Sequence, residues 1–303
     1  MRTGIASLLR RLAAFPRSSR AATVRHHSRA YGPTLCLFSH YDPDNIVDEY
    51  VLHYLAALRK LAFEVIFVST CTELSGDTKT RLAATCREVV LRENIGRDFG
   101  SWKFALDQAD LNRYEQLVLA NDSVYGPLFD LGEIFDSMNA KGFDLWGITD
   151  NWQIRYHVQS YFLVFSKSAT CSRWFGHFWS NIEPSDDRDE LIQQCEIGIS
   201  QRALKCGAHV GSYCDARKVR TEAIKRGRVV PNGETSPLNS THYFWDILIE
   251  DLGCPFMKIE PFRTNPHGLA RLWRWEELIR QVSSYPTELI LQHLRRISEG
   301  QAV

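Results

Sequence analysis

The chain has no net charge to offer a polyanion: 36 Lys and Arg are matched by 36 Asp and Glu. A nucleic-acid binder shows a basic excess, so that class of partner is set aside. No apolar run approaches the roughly 20 residues that span a bilayer. The longest helix-like apolar stretch, 47–61, is interrupted by Glu49, Arg59 and Lys60. None of the eight cysteines stands in a Cys-x-x-Cys pair, which removes zinc ribbons and thioredoxin-like motifs. Several sit in apolar runs, such as Leu35-Cys36-Leu37-Phe38, and read as reduced core residues. Also missing are a Gly-x-Ser-x-Gly elbow, a His-Glu-x-x-His metal motif, a Walker A lysine and any repeat of 20–50 residues.

What is present is a globular composition, with 44% hydrophobic and 24% charged residues over 303 positions. Residues 1–32 differ from the rest. They carry Arg2, Arg10, Arg11, Arg17, Arg20 and others, and the first acidic residue of the chain is Asp42. Three readings fit this leader: a disordered basic arm, an amphipathic anchor on an anionic membrane, or an organelle transit peptide.

From residue 33 onward, strands and helices alternate. Short apolar runs at 34–39, 63–69, 88–91, 116–120, 143–148, 158–165 and 208–213 read as strands. Helical spacing marks 46–61, with Asp44 as its cap, and also 81–86, 101–108, 131–140, 170–182 and 187–205. The basic stretch 217–235 reads as a mobile loop. Helical patterns at 241–251, 272–282 and 287–298 form the tail. The alternation predicts an α/β fold with a mostly parallel sheet covered on both faces. The expected organisation is a leader at 1–32, one domain at 33–266 and a helical tail at 267–303. Ligands of such sheets bind beyond the carboxyl ends of the strands.

Four clusters near those ends carry chemistry. The first is Glu93-Asn94-Ile95-Gly96-Arg97-Asp98-Phe99-Gly100-Ser101-Trp102. It follows a strand and opens a helix, so Gly96 and the N–H groups of the first turn can face an anion. Arg97 can grip phosphate, and Asp98 can accept from ribose or sugar hydroxyls. A plain turn with Asp98 as helix cap explains the same residues. The second is Asn121-Asp122-Ser123, where an acid ends a buried strand. It suits Mg²⁺ or Mn²⁺ on a diphosphate, with Asp122 as ligand, or an Asx-turn that closes the strand. The third joins Trp146, Asp150 and Asn151 with Gln159, an aromatic and polar set suited to a sugar or to an ordinary core and loop. The fourth is Glu196 on a helix, a candidate general base with Asp150 as its alternate.

The order of these clusters resembles the rhamnan synthesis F family of bacterial cell-surface polysaccharide glycosyltransferases. The resemblance rests on Glu93-Asn94-x-Gly96-Arg97-Asp98-x-Gly100-Ser101-Trp102, then Asn121-Asp122-Ser123-x-x-Gly126-Pro127, then Trp146-Gly147-x-Thr149. It extends through 157–165, Glu196-x-Gly198, Asn239-x-Thr241-His242 and Pro255-Phe256-x-Lys258. It implies a GT-A-like Rossmann-type fold and a nucleotide-activated donor, commonly dTDP-rhamnose. It also implies a glycan or lipid-linked glycan acceptor, and work in the cytoplasm or on the inner face of the cell membrane. GT-A enzymes usually hold a metal with Asp-x-Asp; Asn121-Asp122-Ser123 has one carboxylate. The competing expectation is a degenerate transferase that binds glycan or serves as a scaffold.

Overall fold

The computed structural model describes residues 23–25, 33–183, 185–228, 238–269 and 271–299. The 1–32 leader therefore lies outside the described residues, apart from 23–25. The strands are β1 (Thr23–Arg25), β2 (Thr34–His40), β3 (Glu64–Ser69), β4 (Glu88–Leu91), β5 (Gln116–Asn121), β6 (Val124–Tyr125), β7 (Leu145–Asn151), β8 (His157–Val158), β9 (Phe162–Ser166), β10 (Val210–Cys214) and β11 (Met257–Lys258). The main sheet runs β1-β4-β3-β2-β5-β9-β7-β10, with β8 paired to β7. Strands β2, β3, β4 and β5 pair in parallel, as do β7 and β10. Strand β9 is antiparallel to both β5 and β7. The mostly parallel α/β sheet of the GT-A-like expectation is thus present, with one reversed strand near its centre.

The two sheet faces follow the period-2 alternation of the strands. Cys36 and Phe38 pack with Tyr50, Tyr54 and Leu58 of the helix Glu49–Lys60 on one face. Leu35 and Leu37 pack with Phe99 and Trp102 of the helix Arg97–Leu106 on the other. On β5 the same rule puts Val118 and Ala120 on the first face and Leu117 and Leu119 on the second. This alternation decides where the polar residues just beyond the strands go.

Several expectations are corrected. Asp44 does not cap the first long helix. That helix starts at Glu49, and the Asp42 side chain accepts from the Asp44 and Ile46 N–H groups instead. The stretch expected as a loop from 217 is helical over Ala216–Lys225, because the Asp215 carboxylate accepts from Arg217 N–H and caps it. The remainder of that stretch, 229–235, lies outside the described residues. The tail helix Glu288–Glu299 packs on the helix Glu49–Lys60. Its Arg296 binds Asp42, Asp44 and Asp48 at 2.6–3.1 Å. Among the described residues no helix is long and apolar enough to cross a membrane.

Candidate active site

At the carboxyl ends of β2 and β5, Ser39 and Asn121 are Cα partners in the ladder. Both reach the same carboxylate. Ser39 Oγ donates to Asp98 Oδ1 at 2.8 Å, and Asn121 Nδ2 donates to Asp98 Oδ2 at 2.8 Å. Asn121 Oδ1 in turn accepts from Ser123 Oγ at 2.6 Å. Ser123 Oγ accepts from Lys258 Nζ at 3.2 Å. The result is a continuous polar chain, Ser39–Asp98–Asn121–Ser123–Lys258. Burial pushes the Asp98 carboxyl up, against its bonds to Ser39 and Asn121 and the nearby Lys258 and Arg97 charges.

Lys258 lies over the Tyr161 ring, 4.6 Å from its centroid. Burial pulls its amine pKa down, while the charges of Glu196, Asp98 and Glu260 push it back up. The Tyr161 hydroxyl is 2.8 Å from Thr149 Oγ1, which donates to Gln159 Oε1 at 2.7 Å. Glu196 Oε1 accepts from Ser160 N–H at 2.8 Å. Glu196 sits in a π-helical turn, Ile192–Ile197, a local distortion that recurs at functional sites. The second, third and fourth clusters therefore gather around Lys258 and Tyr161 through Asn121, Ser123, Gln159 and Glu196.

Other expected site residues go elsewhere. Asp122 stands one residue beyond β5, and burial together with the nearby Asp98 charge pushes its carboxyl well up. Its Oδ2 accepts from Tyr41 N–H at 3.0 Å and lies 3.8 Å from His40 Nε2, and its carbonyl accepts from the Tyr50 hydroxyl. Trp146 is a core residue, 2% exposed and packed edge-on against Phe135. Its apolar surface is spent on the core, so it presents no face to a sugar. Asp150 accepts from Ser212 Oγ at 3.0 Å and from Ala216 N–H at 2.7 Å, fastening the helix Ala216–Lys225 to β10. Burial pushes its carboxyl up to about 6. Ser101 is buried and accepts from the Arg92 guanidinium at 3.2 Å.

The 93–97 turn is held from within. Arg92, whose pKa burial pulls down to about 10, donates to Ile95 O at 2.7 Å. Gly96 has φ of 73° and Arg97 φ of 48°, both left-handed. Gly96 N–H donates to the Asp186 carboxylate at 3.0 Å, so the anion at this turn is a side chain of the protein itself. Asn94 and Arg97 are exposed at the rim. The sequence reading gave no site role to Ser39, Arg92, Asp186 or Lys258. Ser39 was within reach, since it ends the first strand of a parallel sheet.

The expected divalent ion was tested against these donors. Each Asp98 oxygen accepts one hydrogen bond, from Ser39 or from Asn121, and keeps a further lone pair. Asp122 is directed to Tyr41. Among the described residues no group of three or more His, Cys, Asp or Glu side chains is placed to hold a metal. A divalent ion on a substrate diphosphate takes only one or two carboxylates from the protein, and Asp98 and Asp122 are carboxylates present at this end of the sheet.

The fold is an α/β sheet with a polar network beyond the carboxyl ends of its parallel strands, where ligands of such sheets bind. A family model described as rhamnan synthesis protein F matches residues 65–302, and the chain belongs to that family. It is similar to the virulence protein VirA of Vibrio anguillarum, 28% identical over 215 residues, covering 64% of this chain and 68% of that one. It is also similar to the uncharacterized protein y4gN of Sinorhizobium fredii, 24% identical over 197 residues, covering 63% of this chain and 51% of that one. Among solved structures, the glycosyltransferase GlyE of Streptococcus pneumoniae overlaps 87% of this chain and 63% of its own length. Its TM-score is 0.43 and its identity 11%.

Proposed function

We propose that the chain is a glycosyltransferase of polysaccharide synthesis that takes a sugar from a nucleoside-diphosphate donor, with dTDP-rhamnose the first donor to try. The supporting observation is the hydrogen-bonded chain Ser39–Asp98–Asn121–Ser123–Lys258 beside Glu196, together with membership of the rhamnan synthesis protein F family. In the reaction the acceptor oxygen forms a bond to the anomeric carbon. The bond from that carbon to the diphosphate oxygen breaks, and both its electrons leave with the diphosphate. The acceptor proton passes to the Glu196 carboxylate, the candidate base. Asp98 and Asn121 orient the donor, and Arg97 and Asn94 at the rim meet its polar groups. The acceptor is a glycan or lipid-linked glycan.

The test is a panel of nucleotide sugars with the wild type and Glu196→Gln. Turnover is expected with at least one donor, and a kcat drop on the order of 100- to 10,000-fold in the variant. Absence of both transfer and donor hydrolysis across the panel would replace this reading with the non-catalytic glycan-binding one.

A further inference from the structure

We propose that the Lys258 ammonium supplies the fixed positive charge that meets the donor diphosphate, in the role a protein-bound divalent ion fills elsewhere. The proposal rests on the transferase reading and names the group that recognises the leaving diphosphate.

The lysine is placed by backbone rather than by a flexible contact. Strand β11 pairs antiparallel with β6, with Lys258 opposite Val124 and Met257 opposite Tyr125. Ile259 N–H also donates to Ser123 O at 3.1 Å, which ties the lysine to the turn that ends β5. An ammonium has three donors. The described contacts use one on Ser123 Oγ, with the Tyr161 ring packed beneath the head. The remaining donors suit phosphate oxygens, where lysine acts as a compact point charge. Asp98, Glu196 and Glu260 are the acids whose charges act on Lys258; Arg188 opposes them. Those acids favour the charged ammonium against its burial, and a partly desolvated charge offsets more than it does in water.

The experiment is calorimetry on the 303-residue chain with dTDP, UDP and GDP, each in EDTA and in Mg²⁺ or Mn²⁺. Wild type, Lys258→Met and Lys258→Arg are compared. Wild type is expected to bind at least one diphosphate within about threefold in EDTA and in metal. Lys258→Met weakens that binding by roughly 10- to 100-fold, the size expected for a hydrogen bond to a charged group. Lys258→Arg restores most of it. Binding that needs metal and ignores Lys258→Met overturns the proposal. If no diphosphate binds wild type under any condition, the transferase reading itself fails, which is a different result. Should Lys258→Met not fold, the pH profile of Lys258→Arg decides. Diphosphate affinity in the wild type falls as pH rises through the depressed lysine pKa, and arginine moves that limb upward by at least about one unit. An unmoved limb overturns the proposal.

Discussion

Lys258 and Ser123 lie 135 positions apart in the chain, yet the lysine Nζ donates to the serine Oγ at 3.2 Å. That bond joins the turn after β5 to the small β6–β11 ladder and closes the polar chain that begins at Ser39. Asp98 and Asp122 differ in what holds them, and the first prediction follows from that difference.

Asp98→Ala removes the acceptor shared by Ser39 and Asn121 and frees both to rotate. Turnover of the best donor is expected to fall on the order of 100-fold, the cost of misplacing a positioning group. Asp122→Ala, whose carboxylate is engaged by Tyr41 N–H rather than by Ser39 and Asn121, is expected to stay within about fivefold of wild type. Steady-state kinetics of the two variants on one donor checks this, and the reverse order would return Asp122 to the site.

Gly100→Ala tests the turn. A Cβ at Gly100 would overlap the Ile95 carbonyl oxygen and crowd the Arg92 guanidinium. Neither can retreat cheaply, because Arg92 is itself bonded to Ile95 O and Ser101. The expected loss is about 2–3 kcal/mol. A thermal melt is expected to show Tm lower by about 5–10 °C. An unchanged Tm would show that the turn relaxes freely.

Arg296→Ala tests whether the C-terminal helix is part of the domain. The guanidinium is 21% exposed and bridges Asp42 and Asp48, 10% and 14% exposed, as well as Asp44. Its removal leaves like charges facing one another beside the start of the helix Glu49–Lys60. A loss of about 2–3 kcal/mol is expected, discounted from the fully buried case for partial exposure. Urea unfolding measures it; a loss below about 0.5 kcal/mol would mark the contact as ordinary surface pairing.

His40 gives a pH prediction. Burial lowers its pKa from 6.5 to about 4, only partly opposed by the Asp42 charge. The unfolded chain therefore takes up this proton first on acidification. The stability involved is present above about pH 6.5 and is lost as pH falls toward 4. Between those values the wild type is expected to lose roughly 1.4 kcal/mol per pH unit relative to His40→Gln. Parallel stability curves for the two proteins across that window would contradict it.

Much of the fold was legible in local pattern. The strand expected at 88–91 is observed as Glu88–Leu91, and the helix expected at 287–298 as Glu288–Glu299. The breaks within elements were not. The apolar run 158–165 is two strands, because the chain turns aside where Gln159 N–H bonds Thr149 O and Tyr161 reaches Thr149. The run 170–182 breaks where Ser172 caps a new helix by accepting from Phe175 N–H. The run 187–205 carries a π turn around Glu196. Asp98 and Asn121 were readable as polar residues at the ends of elements, and Glu196 as a lone carboxylate on a helix. What local pattern did not carry was the hold on Asp122, which comes from Tyr41 N–H, 81 positions away.

The sequence by itself determined the α/β alternation, the carboxyl-end location of the polar clusters and, through period 2, the face each strand residue occupies. Those features depend on neighbours a few positions away. Only the tertiary structure decided that β9 runs antiparallel between β5 and β7, that Arg296 locks onto Asp42 and Asp48, and that Lys258 meets Ser123. Each of these depends on pairing distant segments, and local periodicity carries no term for which distant partner a segment will choose.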